Sequence, residues 1–260
     1  MGVAIDIRGA EKRYVGRKGE TIALDAVDLA IEEGEFVAFV GPSGCGKSTL
    51  LNMISGIIDI SLGTITQDGE AVRGINRRVG YMTQADSVLP WRTVADNVAL
   101  PLEYRGVPRA ERARRVSAML EMVNLTGFAH AFPKELSGGM RKRVALAQML
   151  VYEPKTLLMD EPFGALDAQL KLVMQAELLK IWQEQHKTIV FVTHDLHEAI
   201  ALASRVVVFS GRPGRIKHIE NVPIPYPRDV FKARFLPEFE QAYDRLWREL
   251  APEIEHGEEM

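Results

Sequence analysis

Apolar residues along the chain fall into two kinds of pattern. Short runs separated by turn residues predict strands: VAIDI from Val3, a longer stretch from Thr21 to Ile31, GTITQDG and VGYMTQ. EFVAFVG is apolar almost throughout and ends in glycine at Gly41, the pattern of a strand buried on both faces. From about Val94 to Tyr152 the period lengthens to that of helices. Val116, Met119, Leu120 and Val123 form one stripe there, with Arg112, Arg114 and Arg115 elsewhere on the surface. TLLMDE and TIVFVTH bring strands back, with a helical pattern from about Asp167 to His186 between them. A further helix follows His194, and RVVVF adds one more strand. This alternation predicts an α/β domain over residues 1–220: a parallel-sheet core with a helical subdomain inserted at about 86–154.

After Asn221 the character changes. VPIPYPRD is proline-rich and extended, and Phe239, Tyr243, Leu246, Trp247 and Leu250 follow at helical spacing before the acidic end EIEHGEEM. Residues 221–260 are therefore expected to form an extension with an amphipathic helix. Such a helix either docks on its own domain or serves an oligomer or partner contact.

Composition narrows the class. With 260 residues, 47% hydrophobic and 26% charged, the chain has an ordinary globular balance and enough length for one large domain. Thirty-two basic against 35 acidic residues leave a net charge of −3, with no overall bias towards nucleic acid. The single cysteine, Cys45, excludes an internal disulfide framework and fits a reducing compartment. No apolar run approaches the roughly 20 residues of a membrane span, and MGVAIDIRGAEKRY lacks the layout of a signal peptide. Met1-Gly2 lacks the Ser or Thr of a myristoylation motif, having Asp6 in its place. The expectation is a soluble cytoplasmic protein.

Gly41-Pro42-Ser43-Gly44-Cys45-Gly46-Lys47-Ser48-Thr49 fits G-x-x-x-x-G-K-[ST] between a buried strand and a helix ending near Gly56. The glycines let backbone N–H groups surround phosphates, and the helix adds its positive end. Lys47 is expected at the β- and γ-phosphates and the Ser48 hydroxyl on Mg²⁺. Cys45 is either a small packing residue or, if exposed with a low pKa, a redox switch. TLLMDE ends in Asp160 and Glu161. Beside a phosphate loop, Asp160 would hold Mg²⁺ and Glu161 would polarise the attacking water, whereas in another setting such acids only cap the next segment. His194 closes another buried strand, as a structural hydrogen-bonder or a γ-phosphate sensor. His194 and His197 have the spacing of a metal pair, with Glu198 adjacent, but no third ligand cluster and no H-E-x-x-H accompany them, which speaks against a protein-ligated catalytic metal.

Leu136-Ser137-Gly138-Gly139-Met140 supplies the remaining motif. With it, the chain resembles the ATP-binding-cassette (ABC) ATPases, the nucleotide-binding subunits of ABC transporters, over roughly Ile5 to Ile216. The resemblance implies a P-loop NTPase core with an N-terminal antiparallel β-subdomain and the inserted α-helical subdomain, using ATP and Mg²⁺. It places Tyr14 on adenine, Gln84 between Mg²⁺ and the helical subdomain, and Ala165-Leu166-Asp167 at a dimer interface. Ser137, Gly138 and Gly139 match the signature that reads phosphate, and His194 matches the switch histidine. The physics of the signature agrees: Ser137 is a good helix cap, Met140, Val144, Ala147 and Val151 form a stripe behind it, and the glycines leave N–H groups open to an anion. Met140 stands where the commonest signature has glutamine, so any hydrogen bond of that side chain is put in question, while Ser137 and the glycine amides, which carry the phosphate contacts, are expected to keep the site functional.

LSGGMRKR, LPWRTVADNV and EPFGALD look like the nitrate/sulfonate/taurine-type importer branch. Implied partners are a second copy of the chain sandwiching two ATP molecules, integral-membrane permease subunits and, indirectly, an extracytoplasmic solute-binding protein, with no nucleic acid. The place of action would be the cytoplasmic face of the inner or plasma membrane. The segment from Gln84 to about Asn97 resembles the region that receives the permease's coupling helix. Trp91 within it either fills the core or makes that contact. The alternative is a non-transport ABC ATPase acting on a soluble or nucleic-acid partner. Those usually carry two cassettes or a long coiled-coil insertion, and this sequence has neither.

Overall fold

A computed structural model describes residues 2–16, 19–85 and 87–258, the last three without side chains. Met1 of the Met1-Gly2 start, Asp86 at the edge of the inserted segment and the last two residues of EIEHGEEM lie outside the described residues.

The first sheet is antiparallel. β1 (Val3–Gly16) pairs with β2 (Gly19–Glu32) and with β4 (Leu62–Gln67), which turns through Asp68-Gly69 into the short β5 (Glu70–Ala71). Both turn residues have positive φ, 50° and 78°, as a two-residue hairpin requires. β1 runs well past VAIDI because register shifts between Ile7 and Ala10, at Gly9, absorb a bulge and let pairing resume.

The second sheet has the order β10-β9-β3-β8-β7-β6, formed by β3 (Phe36–Val40), β6 (Val79–Met82), β7 (Thr156–Asp160), β8 (Thr188–Val192), β9 (Arg205–Phe209) and β10 (Ile216–Asn221). All neighbours are parallel except the edge pair β9–β10. Its strands alternate between two cores. Phe36, Ala38, Val40, Leu157, Ile189 and Phe191 face a helical layer, while Val37, Phe39, Leu158, Val190 and Val192 face α1 (Lys47–Ile54) and the antiparallel sheet. Burial on both faces explains the unbroken apolar runs.

Between β6 and β7 the helical pattern resolves into α2 (Val94–Tyr104), α3 (Arg109–Met122), two 3-10 turns and α4 (Gly138–Leu150). Thr93 caps α2, accepting from the Asp96 N–H. Gly106 and Asn124, both in the left-handed region, break the pattern where periodicity gives no warning. Val116, Leu120 and Val123 are buried as the stripe predicts.

α5 (Ala168–Gln185) and α6 (Leu196–Leu202) complete the core helices. After β10 the proline-rich segment is held by Arg228, whose buried guanidinium donates to the carbonyls of Ile200, Ala203 and Ile224 and lies 4.1 Å from the Tyr226 ring centroid. α7 (Val230–Ala233) and α8 (Pro237–Glu258) follow. α8 packs on α6, β9 and β10 through Phe239, Ala242, Leu246 and Leu250, all buried, each of the larger three worth about 2 kcal/mol of transfer free energy. Its Glu253 accepts from Gly211 N–H at 2.8 Å and pairs with Lys217 at 2.9 Å. Gly211 opens the turn whose Gly214 lies against the phosphate loop: a Cβ on Gly214 would fall 1.8 Å from the Cys45 carbonyl oxygen.

Candidate active site

The parallel sheet delivers the chemistry to one edge. Val192 is the register partner of both Phe39 and Asp160, the Glu161 N–H donates to the Val192 carbonyl at 3.0 Å, and the Thr193 N–H donates to the Phe39 carbonyl at 3.2 Å. β3, β8 and β7 therefore release Gly41, His194 and Glu161 side by side at their carboxyl ends, where ligands bind in open α/β sheets. β6 adds Gln84 two residues beyond its end.

The loop from Gly41 to Gly46 turns directly into α1. Gly46 has φ +104°, and a Cβ there would meet Leu24 Cδ2 at 2.7 Å and the Ala23 carbonyl oxygen at 2.9 Å. Only glycine fits, and β2 forms the seat against which the loop is shaped. Lys47 is buried, and its ammonium donates to the Gly41 and Pro42 carbonyls, both at 2.8 Å. Among the described residues no side chain caps α1, an uncapped start of the kind that receives an anion. Cys45 is buried, which favours packing over the exposed thiol a redox switch needs. Pro42 is half-buried, Ser43 and Gly44 line the open side of the loop, and Thr49 lies on the first turn of α1.

Ser48 hydrogen-bonds to Asp160. Asp160 is 3% exposed, and its Oδ1 has no partner among the described residues. Burial pushes its carboxyl above the usual range, the Ser48 hydrogen bond and the charges of Lys47 and Lys142 acting in the other direction. Glu161 adopts φ +48°, a conformation that costs a non-glycine residue about 1–2 kcal/mol. Its Oε2 accepts from Gln84 Nε2 at 3.3 Å, and its Oε1 lies 3.5 Å from Nδ1 of the exposed His194.

Ser137, Gly138 and Gly139 lie elsewhere. Ser137 caps α4, accepting from the Met140 N–H, and Gly139 faces Ala165 and Leu166, with which a Cβ would be in tight contact at 3.2–3.3 Å. Asp167 caps α5 through the Leu170 N–H. The structure thus joins the signature to Ala165-Leu166-Asp167, while among the described residues neither hydrogen-bonds to Gly41–Thr49. Met140 packs against the helical core, so its apolar side chain is used there. Tyr14 stands half-exposed on β1, its ring 5.1 Å from the Lys12 ammonium.

His197 and Glu198 are engaged otherwise than the sequence spacing suggests. The His197 ring packs against Tyr243 of α8 at 4.8 Å, and buried Glu198 pairs with Lys171 at 2.8 Å and accepts from Thr193 at 2.5 Å. That buried network anchors the turn carrying His194 to α5. Sequence reasoning missed it, and also missed Lys142, buried on α4 with its ammonium on the Gln84 carbonyl. Their only sequence signal is a charge placed among apolar helix positions. Trp91 is 72% exposed, which removes the core-filling reading.

The sequence matches the family profile described as ABC transporter over residues 24–164. It is 50% identical over 204 residues to the taurine import ATP-binding protein TauB of Rhizobium johnstonii, 78% of each chain. Over 247 residues, 93% of each chain, it is 42% identical to the nitrate import ATP-binding protein NrtD of a Synechocystis species. Among solved structures, a dimeric post-hydrolysis state of the ATP-binding cassette MJ0796 bound to ADP and Pi gives a TM-score of 0.78 at 32% identity, covering 85% of this chain and 100% of that one.

Proposed function

The chain belongs to the ABC transporter family of ATP-binding cassettes, and on that premise we propose that it is the ATP-hydrolysing subunit of an importer for a small anion such as nitrate, a sulfonate or taurine. The convergence of Gly41–Thr49, Asp160-Glu161, Gln84 and His194 on one sheet edge carries this reading. The reaction is ATP and water to ADP and phosphate, in which catalysis is positioning and electrostatics. Lys47 exchanges its loop carbonyls for the β- and γ-phosphates, and the α1 N–H groups add their partial charge. Glu161 orients the attacking water and takes its proton, held by Gln84 on one oxygen, while His194 contacts the γ-phosphate. Ser48, Asp160 and Gln84 suit Mg²⁺: all offer oxygen, and the partnerless Asp160 Oδ1 is the kind of buried acceptor a hard cation satisfies. Bound there, Mg²⁺ neutralises charge on the phosphates.

The signature needs a second copy. Within one chain it meets Ala165 and Leu166 rather than the phosphate loop, which supports a head-to-tail homodimer with two ATP molecules between the copies. In that arrangement Tyr14 stacks on adenine, and Asp167 lies at the interface. The dimeric, ADP- and Pi-bound cassette cited above supports a dimer of this chain.

No helix among the described residues is long and apolar enough to cross a membrane, and in this reading separate permease subunits carry the solute. A groove of about 920 Å³ between α1, β6, α2 and α4 suits a cytoplasmic helix of such a permease. Ile57, Ile75, Tyr81, Leu100 and Tyr104 line it, and Tyr104 is 86% exposed. Ser87 is on this wall, whereas Trp91 is not, so the contact is centred away from Trp91. The chain then sits peripherally on the cytoplasmic face of the membrane, and an extracytoplasmic protein delivers the solute. Residues 1–220 form the cassette in this reading, and 221–260 its extension.

The test is recovery of the N-terminally tagged chain from mild-detergent extracts. A multi-spanning membrane protein in comparable amount, lost on Tyr104→Glu, supports the importer reading. Soluble or nucleic-acid-bound partners alone overturn it in favour of a non-transport ABC ATPase.

A further inference from the structure

Burying a lysine ammonium is costly unless it is hydrogen-bonded or paired. Lys142 lies on the second turn of α4, 8% exposed, and its ammonium reaches out of the helical layer to donate to the backbone carbonyl of Gln84. The Gln84 carboxamide in turn donates to Glu161 Oε2, and Glu161 Oε1 faces His194. A continuous path therefore runs from the helix that begins with Ser137-Gly138-Gly139 to the carboxylate proposed to activate water. It passes through a single backbone group.

We propose that Lys142 is a positioning residue for hydrolysis: it fixes Gln84 to the signature helix, so that the placement of α4 sets how the Gln84 carboxamide meets Glu161. Gln84 belongs to the loop after β6, which no strand pairing holds, and its side chain lies at the exposed surface. Without a tether from α4, its carboxamide has no fixed distance from Glu161. With the tether, any shift of α4 caused by a second copy engaging Ser137 is transmitted to the water-activating carboxylate. Lys142 touches neither nucleotide nor water in this scheme, so its effect falls on turnover and not on nucleotide affinity.

This inference rests on the assignment of Glu161, and the test separates the two. Purified wild-type chain is compared with Lys142→Met, Lys142→Arg, Gln84→Ala, the Lys142→Met/Gln84→Ala double variant and Glu161→Gln, by phosphate release under saturating MgATP and by calorimetric ATP binding. Lys142→Met is expected to lower kcat about 10- to 100-fold, the range for a misplaced group, with ATP affinity within about threefold of wild type, because Lys142 makes no contact with nucleotide in this scheme. Lys142→Arg, which keeps charge and donor, restores most of the loss. Once Gln84 is alanine, Lys142→Met costs little more, because contacting residues in one path are not additive. Equal losses in kcat and affinity, a wild-type kcat in Lys142→Met, no rescue by arginine, or full additivity in the double variant each overturn the proposal. Undiminished hydrolysis in Glu161→Gln overturns instead the assignment on which it rests.

Discussion

Glu161 Oε1 lies 3.5 Å from His194 Nδ1, although the two residues arrive on different strands. They meet because β7 and β8 are paired in register and the Glu161 N–H is bonded to Val192, two residues before His194. The left-handed backbone at Glu161 turns the carboxylate towards the histidine and Gln84 at a cost in local strain.

Glu161→Gln preserves size and removes the carboxylate. Turnover is expected to fall about 10²–10³-fold, as for loss of one well-placed catalytic group, while ATP still binds. Phosphate release together with calorimetry checks this; hydrolysis near the wild-type rate rules out a role for Glu161 as base.

Lys47→Ala removes the ammonium that spans Gly41 and Pro42. Charge-assisted hydrogen bonds are worth about 1.5–3 kcal/mol, so ATP affinity is expected to weaken about 10- to 100-fold. Unchanged calorimetric affinity counts against Lys47 as a phosphate ligand.

Asp160→Asn has opposite effects with and without ligand. Burial raises the Asp160 pKa in the folded state, so the protonated form favours folding. The stability associated with that form is complete below the ordinary carboxylate value of 3.8 and is lost as pH rises through the folded value. Near pH 7 the wild type bears the cost of a buried charge that asparagine lacks. The variant is expected to melt higher than wild type without ligand at pH 7, with the gap closing towards pH 4, and to gain less from MgATP. A gap that widens on acidification contradicts this sign.

Tyr104→Glu places a charge in the groove beside α2, at a residue outside Gly41–Thr49, Gln84, Asp160-Glu161 and His194. Basal phosphate release should stay within about twofold of wild type, the usual result of a surface change away from a site, while permease recovery falls. Loss of both together points to misfolding of α2 and not to a lost contact.

Arg228→Met strands three buried carbonyls, those of Ile200, Ala203 and Ile224. Unmade buried hydrogen bonds cost about 1–3 kcal/mol each before relaxation, and a net loss of about 3 kcal/mol is expected from urea unfolding. A loss below about 1 kcal/mol, within the range of ordinary surface changes, means that water reaches those carbonyls.

Much of this was legible in the sequence for a definite reason. Gly46 is confined by Leu24 and Ala23 and the flanking strands are buried throughout, so GPSGCGKST, TLLMDE and TIVFVTH stand out as contiguous strand-and-turn patterns. Capping is equally local, which is why Ser137 and Asp167 stand where the pattern puts helix starts. What stayed hidden depends on packing between distant segments. β10 alternates half-buried and exposed residues, lacking the apolar run of its neighbours, and becomes a strand only by pairing with β9. Lys142 looks like one more surface charge until α4 is laid against Gln84. Glu198 looks like a neighbour of two histidines until α5 brings Lys171 to it. The apolar face of α8 was clear from spacing, but only the fold shows which strands it covers.

Gly214 against Cys45 means that the helix beginning at Pro237 and the nucleotide loop share one wall. Glu253 holds one end of that turn, and at its other end backbone meets backbone with no side chain between them to yield. A change at Glu253 is therefore a change at the edge of the Gly41–Thr49 loop, carried there through backbone that has no room to give.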